Sequence, residues 1–128
     1  MNINIFPKLM FALLLLTSQS LYASSIYSNT KSNSLLLSVD GTQFISANMD
    51  AGSVSILNAK TGELITEQAL GKDLRRLALD PINNQLLVSD YLADQLYLID
   101  AKSLKLIKTI NTGYRPFGIV YDEYNKQK

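Results

Sequence analysis

The sequence predicts an all-β protein assembled from repeated four-stranded sheets. Residues 43–80 align without a gap on residues 85–122, at an offset of 42. Beyond Leu35 the apolar residues come in runs of about five, separated by turn residues, which is typical of strands. The same region shows no apolar period of about 3.6 residues, the pattern that would indicate helices.

The repeat appears both in identical positions and in positions that change only from one apolar residue to another. The identical pairs include Ala51/Ala93, Ala59/Ala101, Lys60/Lys102, Leu64/Leu106, Ile65/Ile107, Gly71/Gly113 and Asp80/Asp122. Self-similarity at a period of about 40 to 50 residues indicates solenoids, propellers and other repeat arrays.

Two repeat units of four strands each are expected, followed by the beginning of a third. The strands of the first unit are Leu35–Val39, Gln43–Ala47, Ser53–Asn58 and Glu63–Ala69. The strands of the second unit are Arg75–Leu79, Gln85–Ser89, Gln95–Asp100 and Lys105–Asn111. A ninth strand, Phe117–Tyr121, is expected to begin the third unit.

The connections favour antiparallel hairpins. Asp40-Gly41 and Asn83-Asn84 can take the positive φ angles of tight turns, and Gly62 suits the left-handed position of a longer turn. The apolar run 86–88 indicates a strand covered on both faces, which small sheets achieve by stacking on further copies of themselves. The predicted fold is therefore a partial β-propeller with two four-stranded antiparallel blades and one orphan strand, after an N-terminal signal segment.

Segments of the repeat resemble the YVTN-type bacterial β-propeller family. Gly113-Tyr114-Arg115-Pro116-Phe117-Gly118-Ile119-Val120 is similar to that family's Gly-x-x-Pro-x-Gly-Ile-Ala-Val segment. Residues 86–90 resemble its Ile-Tyr-Val-Thr-Asn strand, and residues 95–100 its Val-Ser-Val-Ile-Asp strand. Unit one departs from this pattern, with Leu74 in place of Pro116 and Arg76 in place of Gly118. The resemblance implies propeller blades, and the residues expected to be structural in the repeat are Gly71, Asp80, Gly113, Pro116, Gly118 and Asp122.

The expected organisation is a signal peptide at 1–23, a flexible leader at 24–34, repeats at 35–122 and a polar tail at 123–128. Within the repeats, blade one is 35–74, blade two is 75–111 and blade three starts at 117–121. Propellers close a ring with about four to eight blades. The chain is therefore expected to be a truncated fragment of a longer propeller. The alternative is a short protein that completes a ring as a homo-oligomer.

The N-terminus has the three-part pattern of a secretory signal. Lys8 precedes an apolar run at 9–16, polar residues follow, and Ala23 stands before the expected cleavage site. Cleavage after Ser20 is the alternative. The apolar run is shorter than the roughly 20 residues of a spanning helix. The product is therefore expected in the periplasm or outside the cell, with no membrane span after signal removal.

Composition excludes several functions. The chain has 12 basic and 11 acidic residues, so electrostatics give no reason to expect nucleic acid as a partner. It has no His and no Cys, which rules out Ser-His-Asp and Cys-His nucleophile systems, the usual zinc sites and His-ligated haem. A distant resemblance to the haem-binding propellers of nitrite reductases thus implies their fold and not their cofactor. No catalytic residue, metal site or cofactor is predicted.

Arginines near the innermost strands are the candidate ligand-binding residues. Arg75 and Arg115 lie near the channel mouth, where propellers bind ligands, and could meet an anionic ligand. The alternative is that they bind loop carbonyl groups. Asp50, Asp90 and Asp94 could in principle hold Ca²⁺, but capping of the turns by side chain to backbone bonds is the preferred interpretation.

The predicted function is that of an exported, non-enzymatic β-propeller repeat protein, a binding or scaffold module for an unknown ligand or protein partner. Two alternatives stay open, because one propeller scaffold hosts many functions. The first is part of a propeller-type dehydrogenase or another enzyme subunit. The second is an oligomeric envelope or surface interaction protein.

Overall fold

A computed structural model describes residues 32–122 of the chain. The predicted signal peptide, the leader up to residue 31 and the tail at 123–128 lie outside the described residues. The regular secondary structure within residues 32–122 consists entirely of β-strands. This part of the chain accordingly offers no helix of the length and apolarity that crossing a membrane requires.

The described residues form two antiparallel sheets. Their strands are β1 (Ser32–Asn33), β2 (Leu35–Leu37), β3 (Gln43–Asn48), β4 (Ser53–Asn58), β5 (Leu64–Ala69), β6 (Leu74–Asp80), β7 (Gln85–Asp90), β8 (Gln95–Asp100) and β9 (Leu106–Asn111). Blade one is the sheet β2-β3-β4-β5, and blade two is β6-β7-β8-β9 with β1 added beside β6. The prediction of an all-β fold with two four-stranded antiparallel blades is confirmed.

The expected ninth strand, Phe117–Tyr121, is not formed by the described residues. A strand is held by a ladder of backbone hydrogen bonds to its neighbour, and neither sheet of the described residues includes this segment. It lies against blade two instead, where the Ser89 hydroxyl donates to the Phe117 carbonyl at 3.2 Å. The Tyr121 hydroxyl likewise donates to Asp80 at 3.0 Å.

Three boundaries also differ from the expectation. The leader ends in a strand, because Ser32 and Asn33 pair antiparallel with β6. β2 ends at Leu37, two residues before the expected end, where Ser38 begins the turn by donating its N–H to the Gln43 carbonyl at 2.8 Å. Leu74, which was expected in blade one, is the first residue of β6.

The core lies between the two blades. Strand register places alternate residues on one face, so that Leu36, Ile45 and Ile56 line up across β2, β3 and β4. Blade two opposes them with a second apolar face. The buried apolar residues of that face are Leu77, Leu79, Leu86, Val88, Tyr97 and Ile99. Each large side chain buried this way contributes about 1.5–3 kcal/mol, so the contact between the blades stabilises both sheets.

The turns of the two blades have the same backbone conformation even where blade two has no glycine at the equivalent position. Gly52 and Gly62 have φ angles of 60° and 75°, and their repeat counterparts Asp94 and Leu104 have 56° and 58°. A left-handed conformation is unfavourable for residues with a β-carbon. Leu104 is fully buried, and this apolar burial offsets the strain. The path of the turns is therefore set by the repeat as a whole and not by glycine alone.

Candidate functional site

A β-bulge brings two consecutive arginines together at the start of β6. The register between β6 and β7 shifts between Leu74 and Leu77, so Arg75 and Arg76 together oppose Ser89. The Arg76 N–H donates to the Ser89 hydroxyl at 3.1 Å, which holds the bulged backbone in place. Bulges re-aim side chains and are frequent beside functional sites.

Arginine and aromatic side chains gather at this end of blade two. The arginine–aromatic cluster consists of Arg75, Arg76, Arg115, Tyr91, Tyr114 and Phe117. The Arg75 guanidinium lies 4.7 Å from the centre of the Tyr91 ring, and the Arg115 guanidinium lies 5.3 Å from the same ring. Both distances are within the roughly 6 Å range of a cation–π interaction. Tyr91 therefore links the two arginines that the sequence had singled out.

Phe117 forms the second aromatic contact surface of the cluster. Its ring centre lies 5.3 Å from the Arg76 guanidinium and 5.9 Å from that of Arg75. The rings of Phe117 and Tyr91 meet edge to face, with their centres 6.4 Å apart. This is a favoured aromatic arrangement, and it limits the freedom of the arginines that lie over the two rings.

The arginines differ in their polar partners. Arg75 Nη2 forms an ion pair with Asp73 Oδ2 at 2.7 Å, and Arg76 Nη1 donates to Asn33 Oδ1 at 2.9 Å. Arg115 forms no ion pair with a described carboxylate. In the Arg75–Asp73 pair, Arg75 Nε and Asp73 Oδ1 are buried without a hydrogen-bond partner among residues 32–122. The cluster thus has donor groups beyond those that its own contacts use.

A buried carboxylate anchors the connection that leads into β6. Asp90 is fully buried. It accepts hydrogen bonds from the N–H groups of Lys72 (2.7 Å), Asp73 (3.1 Å) and Ala93 (3.1 Å) and from the Tyr97 hydroxyl (3.1 Å). Burial alone would raise its pKa, but these hydrogen bonds together lower the pKa of Asp90. Burial, followed by the negative charge of Asp90, raises the pKa of Tyr97. Asp90 is therefore ionised and Tyr97 neutral near pH 7.

Gly71 allows this connection to approach Asp90 closely. A β-carbon at Gly71 would lie 2.0 Å from Asp90 Oδ2 and 2.9 Å from a ring carbon of Tyr97. The carbonyl of Gly71 is itself tightly packed, because a β-carbon at Gly52 would lie 2.1 Å from its oxygen. Only glycine fits at both positions without a shift of the backbone.

Arg115 is positioned by its backbone. Its N–H donates to Asp94 Oδ1 at 2.8 Å, and its φ angle is 52°. Its guanidinium also lies 4.7 Å from the centre of the Tyr114 ring. The side chain of Arg115 is exposed, so these contacts orient the guanidinium without removing it from solvent.

The other predicted residues have structural surroundings. Asp80 Oδ1 accepts the N–H groups of Ile82 (3.0 Å) and Asn83 (3.2 Å) and caps the turn after β6. Gly113 and Gly118 have no neighbouring atom within 4 Å of an added β-carbon. Pro116 is half-buried, and Asp122 is the last described residue. Asp50, Asp90 and Asp94 are not gathered into a group of metal ligands within residues 32–122.

Sequence reasoning did not identify Tyr91, Phe117 or Asp73 as parts of this site. Tyr91 follows β7 directly, and Asp73 precedes β6 directly. Both connections lie at the same end of the antiparallel sheet, so the predicted strand order could have placed Tyr91 beside Arg75. Nothing local to the sequence indicates that Phe117 folds back onto the arginines.

A cleft between the blades lies at the opposite end of the strands. Its volume is about 350 Å³. It is lined by Ser38, Val39, Asp40, Gln43, Ile45, Leu79, Asn84, Ala101 and Lys102. Asp40 accepts hydrogen bonds from the Ser38 hydroxyl and from the N–H and hydroxyl of Thr42, which lower its pKa to about 2. These bonds belong to the turn, so Asp40 has a structural role there.

No family model and no curated protein matches the chain. Solved structures of β-propeller proteins do match. Hydrazine synthase of Kuenenia stuttgartiensis is 23% identical over 75% of this chain and 28% of that chain, with a TM-score of 0.64. AztD of Citrobacter koseri is 19% identical over 67% of this chain and 25% of that chain, with a TM-score of 0.59. The Cps50 (Swd1) β-propeller domain of Myceliophteria thermophila is 17% identical over 68% and 26%, with a TM-score of 0.55.

The chain spans about a quarter of the length of these structures. At such identities the likeness shows the fold alone. The two sheets of this chain are therefore β-propeller blades, and the arginine–aromatic cluster lies at the end of the strands where one blade connects to the next.

Proposed function

We propose that this chain belongs to an exported, non-enzymatic β-propeller of the YVTN type, in which the arginine–aromatic cluster binds an anionic ligand. The observation that carries the proposal is the convergence of Arg75 and Arg115 on the ring of Tyr91, at 4.7 and 5.3 Å. Two like charges held at one ring repel each other, and an anion between or beside them relieves that repulsion.

Arg115 is the principal ligand-binding residue of the proposal. It is exposed and forms no ion pair with a described carboxylate. Its guanidinium presents donors in a planar fork, which suits the bidentate recognition of a carboxylate or phosphate group. Stacking on Tyr91 and Tyr114 holds the fork in place, so little side-chain entropy is lost when a ligand binds.

Arg75 supplies a second, more restrained positive group. Its ion pair with Asp73 and its contact with Tyr91 fix the guanidinium. The buried Nε of Arg75 has no partner among the described residues, and a ligand oxygen or a bridging water would satisfy it. Arg75 therefore positions the bound anion, whereas Arg115 supplies most of the attraction.

A binding role without catalysis fits the side chains around the cluster. The Ser89 hydroxyl lies opposite the bulge, and it already donates to the Phe117 carbonyl and accepts from the Arg76 N–H. Nucleophilic catalysis requires an adjacent general base, and the chain contains no His. Export is supported by the signal pattern at 1–23, and the YVTN type by the segment 113–120.

Calorimetric titration of the 128-residue chain with citrate and with inorganic pyrophosphate tests anion binding. We expect Arg115→Ala to weaken binding by about 10- to 100-fold, because charge-assisted hydrogen bonds contribute about 1.5–3 kcal/mol. Arg115→Lys keeps the charge but loses the fork, and its affinity should lie between those of wild type and Arg115→Ala.

The matched control is Lys108→Ala, which removes an exposed positive charge from β9, away from the cluster. Its affinity should equal that of the wild type at the same ionic strength. If Arg115→Ala and Lys108→Ala weaken anion binding equally, the effect comes from the net charge of the protein. That result would contradict a binding site at the arginine–aromatic cluster. Absence of heat with both anions, at millimolar concentration, would also overturn it.

Export is tested by sequencing the N-terminus of protein recovered from the periplasm or the medium. The expected first residue is Ser24. Recovery of chain that begins at Met1 from the cytoplasm alone would contradict export and would leave the anion site unaffected.

A further inference from the structure

The cleft between the two blades carries both charged and apolar groups, and it lies at the opposite end of the strands from the arginine–aromatic cluster. We propose that this cleft binds an α-amino acid with an aliphatic side chain. The ammonium group of the ligand pairs with Asp40, and its carboxylate pairs with Lys102. This second site is separate from the anion site and does not depend on it.

Both blades form the walls of the cleft. Blade one contributes the turn after β2 and the first residues of β3, and blade two contributes β6 and the turns after β6 and β8. The volume of about 350 Å³ is at the lower end of the range of about 300–1,000 Å³ in which proteins bind small molecules. The size of the cleft therefore suits a small ligand that contacts both blades.

The buried part of the lining is apolar. Ile45, Leu79 and Ala101 line the cleft and are only 1, 6 and 5% exposed. All three also belong to the hydrophobic core between the blades, so this part of the lining is held by the packing of the core. An aliphatic side chain that covers these residues leaves water, which favours binding.

Each blade contributes one charged side chain to the cleft, Asp40 from blade one and Lys102 from blade two. Their charges are opposite, yet neither side chain forms an ion pair with the other or with any other residue of the described part of the chain. Hydrogen bonds from Ser103, and to a smaller extent the charge of Lys102, lower the pKa of Asp100, but Lys102 and Asp100 are not within ion-pair distance. A molecule that carries both charges therefore has a partner for each of them.

The turn that holds Asp40 leaves one of its carboxylate oxygens for a ligand. The Ser38 hydroxyl, the Thr42 N–H and the Thr42 hydroxyl all donate to Oδ1, at 2.7, 3.0 and 2.8 Å. These bonds lower the pKa of Asp40 to about 2, so the carboxylate is ionised at neutral pH. Oδ2, which these three bonds do not use, is the acceptor for the ammonium group of the ligand.

Two side-chain amides, those of Gln43 and Asn84, also line the cleft. Both residues use their backbone groups in the fold, because the Gln43 N–H donates to the Ser38 hydroxyl at 3.0 Å and the Asn84 carbonyl accepts from the Ala101 N–H at 2.9 Å. Their side-chain amides make no hydrogen bond with residues 32–122. An amide both donates and accepts, so these two groups complement the carboxylate and ammonium groups of an amino acid.

The turns around the cleft are fixed by hydrogen bonds of their own. The Gly41 N–H donates to the Ser38 carbonyl at 2.9 Å, and the Lys102 N–H donates to Asp100 Oδ1 at 3.0 Å. The bond between Ala101 and Asn84 joins the turn after β8 to the turn after β6. Binding therefore has to order the exposed side chain of Lys102 and little else, which limits its entropic cost.

Chemical-shift mapping by NMR tests where the ligand binds. L-leucine is titrated into the isotope-labelled 128-residue chain at pH 7. We expect the largest saturable shifts at the side-chain amides of Gln43 and Asn84 and at the backbone N–H of Lys102. The arginine–aromatic cluster is the competing site, because leucine also carries a carboxylate. Largest shifts at Tyr91 and Arg115, or no saturable shift at millimolar leucine, would overturn the proposal.

Ligand analogues test each part of the proposed contact separately. The analogue 4-methylpentanoate is leucine without its ammonium group, and 3-methylbutylamine is leucine without its carboxylate. Each should bind the wild type about tenfold more weakly than leucine, because each loses one charge-assisted pair. Glycine keeps both charges without the aliphatic group and should be weakened by about tenfold or more. Equal affinity for leucine and either charge-deleted analogue would contradict the proposed orientation.

Protein variants assign the two charge pairs to Asp40 and Lys102. Asp40→Asn should bind leucine and 4-methylpentanoate with equal affinity, because the partner of the ammonium group has lost its charge. Lys102→Ala should bind leucine and 3-methylbutylamine with equal affinity, because the partner of the carboxylate is gone. Wild-type discrimination between leucine and these analogues in both variants would overturn the assignment.

The matched control for Lys102→Ala is Lys60→Ala. Lys60 is the repeat counterpart of Lys102, and it is exposed in the turn after β4 and does not line the cleft. Its removal should leave the affinity for leucine at the wild-type value, and equal weakening by the two variants would contradict the site. Lys102 is exposed, so this comparison decides the proposal even if Asp40→Asn disturbs its turn.

Discussion

The chain passes from one blade toward the next twice, and the two connections are held in different ways. Connection one is residues 70–73, and connection two is its repeat counterpart, residues 112–115. Both begin alike, because Leu70 donates its N–H to the Gly52 carbonyl at 2.9 Å and Thr112 donates to the Asp94 carbonyl at 3.0 Å. They then diverge.

Connection one is anchored in the blade that it leads to, and connection two is anchored in the blade that it leaves. Lys72 and Asp73 donate their N–H groups to Asp90, which belongs to blade two. Arg115, the counterpart of Asp73, donates its N–H to Asp94, which directly precedes β8 of its own blade. The comparison teaches that the close packing of a propeller connection comes from the following blade and not from the residues of the connection themselves.

The largest difference in stability between the two connections is expected when their equivalent glycines, Gly71 and Gly113, are replaced. We expect Gly71→Ala to lower the free energy of unfolding by about 3 kcal/mol, because the new methyl group would overlap the Asp90 carboxylate and force the backbone to shift. Gly113→Ala should change it by no more than about 0.5 kcal/mol, because nothing lies within 4 Å of the added carbon. Urea titration of both variants measures the difference. Equal losses would mean that both glycines serve backbone conformation and not packing.

The next effect concerns the charge that anchors connection one. Asp90→Asn removes one acceptor oxygen and turns amide hydrogens toward backbone N–H groups, so we expect a loss of about 2 kcal/mol at pH 7. The folded-state pKa of Asp90 is lowered. Its contribution is therefore present above the ordinary carboxyl pKa of about 4 and is lost as the pH falls through the lowered value.

The pH dependence supplies the control for this variant. Wild-type stability should fall as the pH is lowered below about 4, and Asp90→Asn should show a shallower fall. Asp40, with a pKa of about 2, titrates in both proteins and serves as an internal reference by NMR. Parallel stability curves for the two proteins would show that Asp90 is not the titrating anchor.

The smallest difference in stability is expected at the position where the two connections carry opposite charges, Asp73 in connection one and Arg115 in connection two. Asp73→Gly breaks the ion pair with Arg75 and should cost about 1–2 kcal/mol. Arg115→Gly should stay within about 1 kcal/mol of wild type, because glycine relieves the left-handed conformation at φ 52° while the contacts with Tyr91 and Tyr114 are lost. Thermal unfolding of the two variants tests this order, and a reversed order would contradict it.

Much of the fold could be predicted from the sequence because the two copies of the repeat can be compared with each other. The offset of 42 fixed the number of strands per blade, and turn chemistry placed positive φ angles that the structure has at Gly41 (72°), Gly62 (75°) and Asn84 (51°). The orphan strand at 117–121 could not be settled this way. Its sequence suits a strand, but strand formation also depends on pairing with a neighbouring strand, which the sequence of the segment does not reveal.

The candidate site was only half predictable for a related reason. Arg75 and Arg115 were placed near the channel mouth from strand order alone. The bulge that places Arg75 and Arg76 together opposite Ser89 depends on a shift in the register between β6 and β7. No local sequence pattern predicts this shift. Asp90 was expected to cap its own turn, and it does so through Ala93. Its bonds to Lys72 and Asp73 join residues 18 and 17 positions apart, which is beyond the reach of turn chemistry.

The pairing of β1 with β6 has a consequence for the order in which the chain folds. Blade one is a meander whose strands pair with sequence neighbours, so it can form as soon as residue 69 is available. Ser32 and Asn33 pair with Ala78 and Leu77 instead, residues that follow the whole of blade one. Loop closure over such a separation is slow compared with hairpin formation. The first strand of the described chain, β1, is thus among the last to pair. Its pairing with β6 shows that both blades have formed.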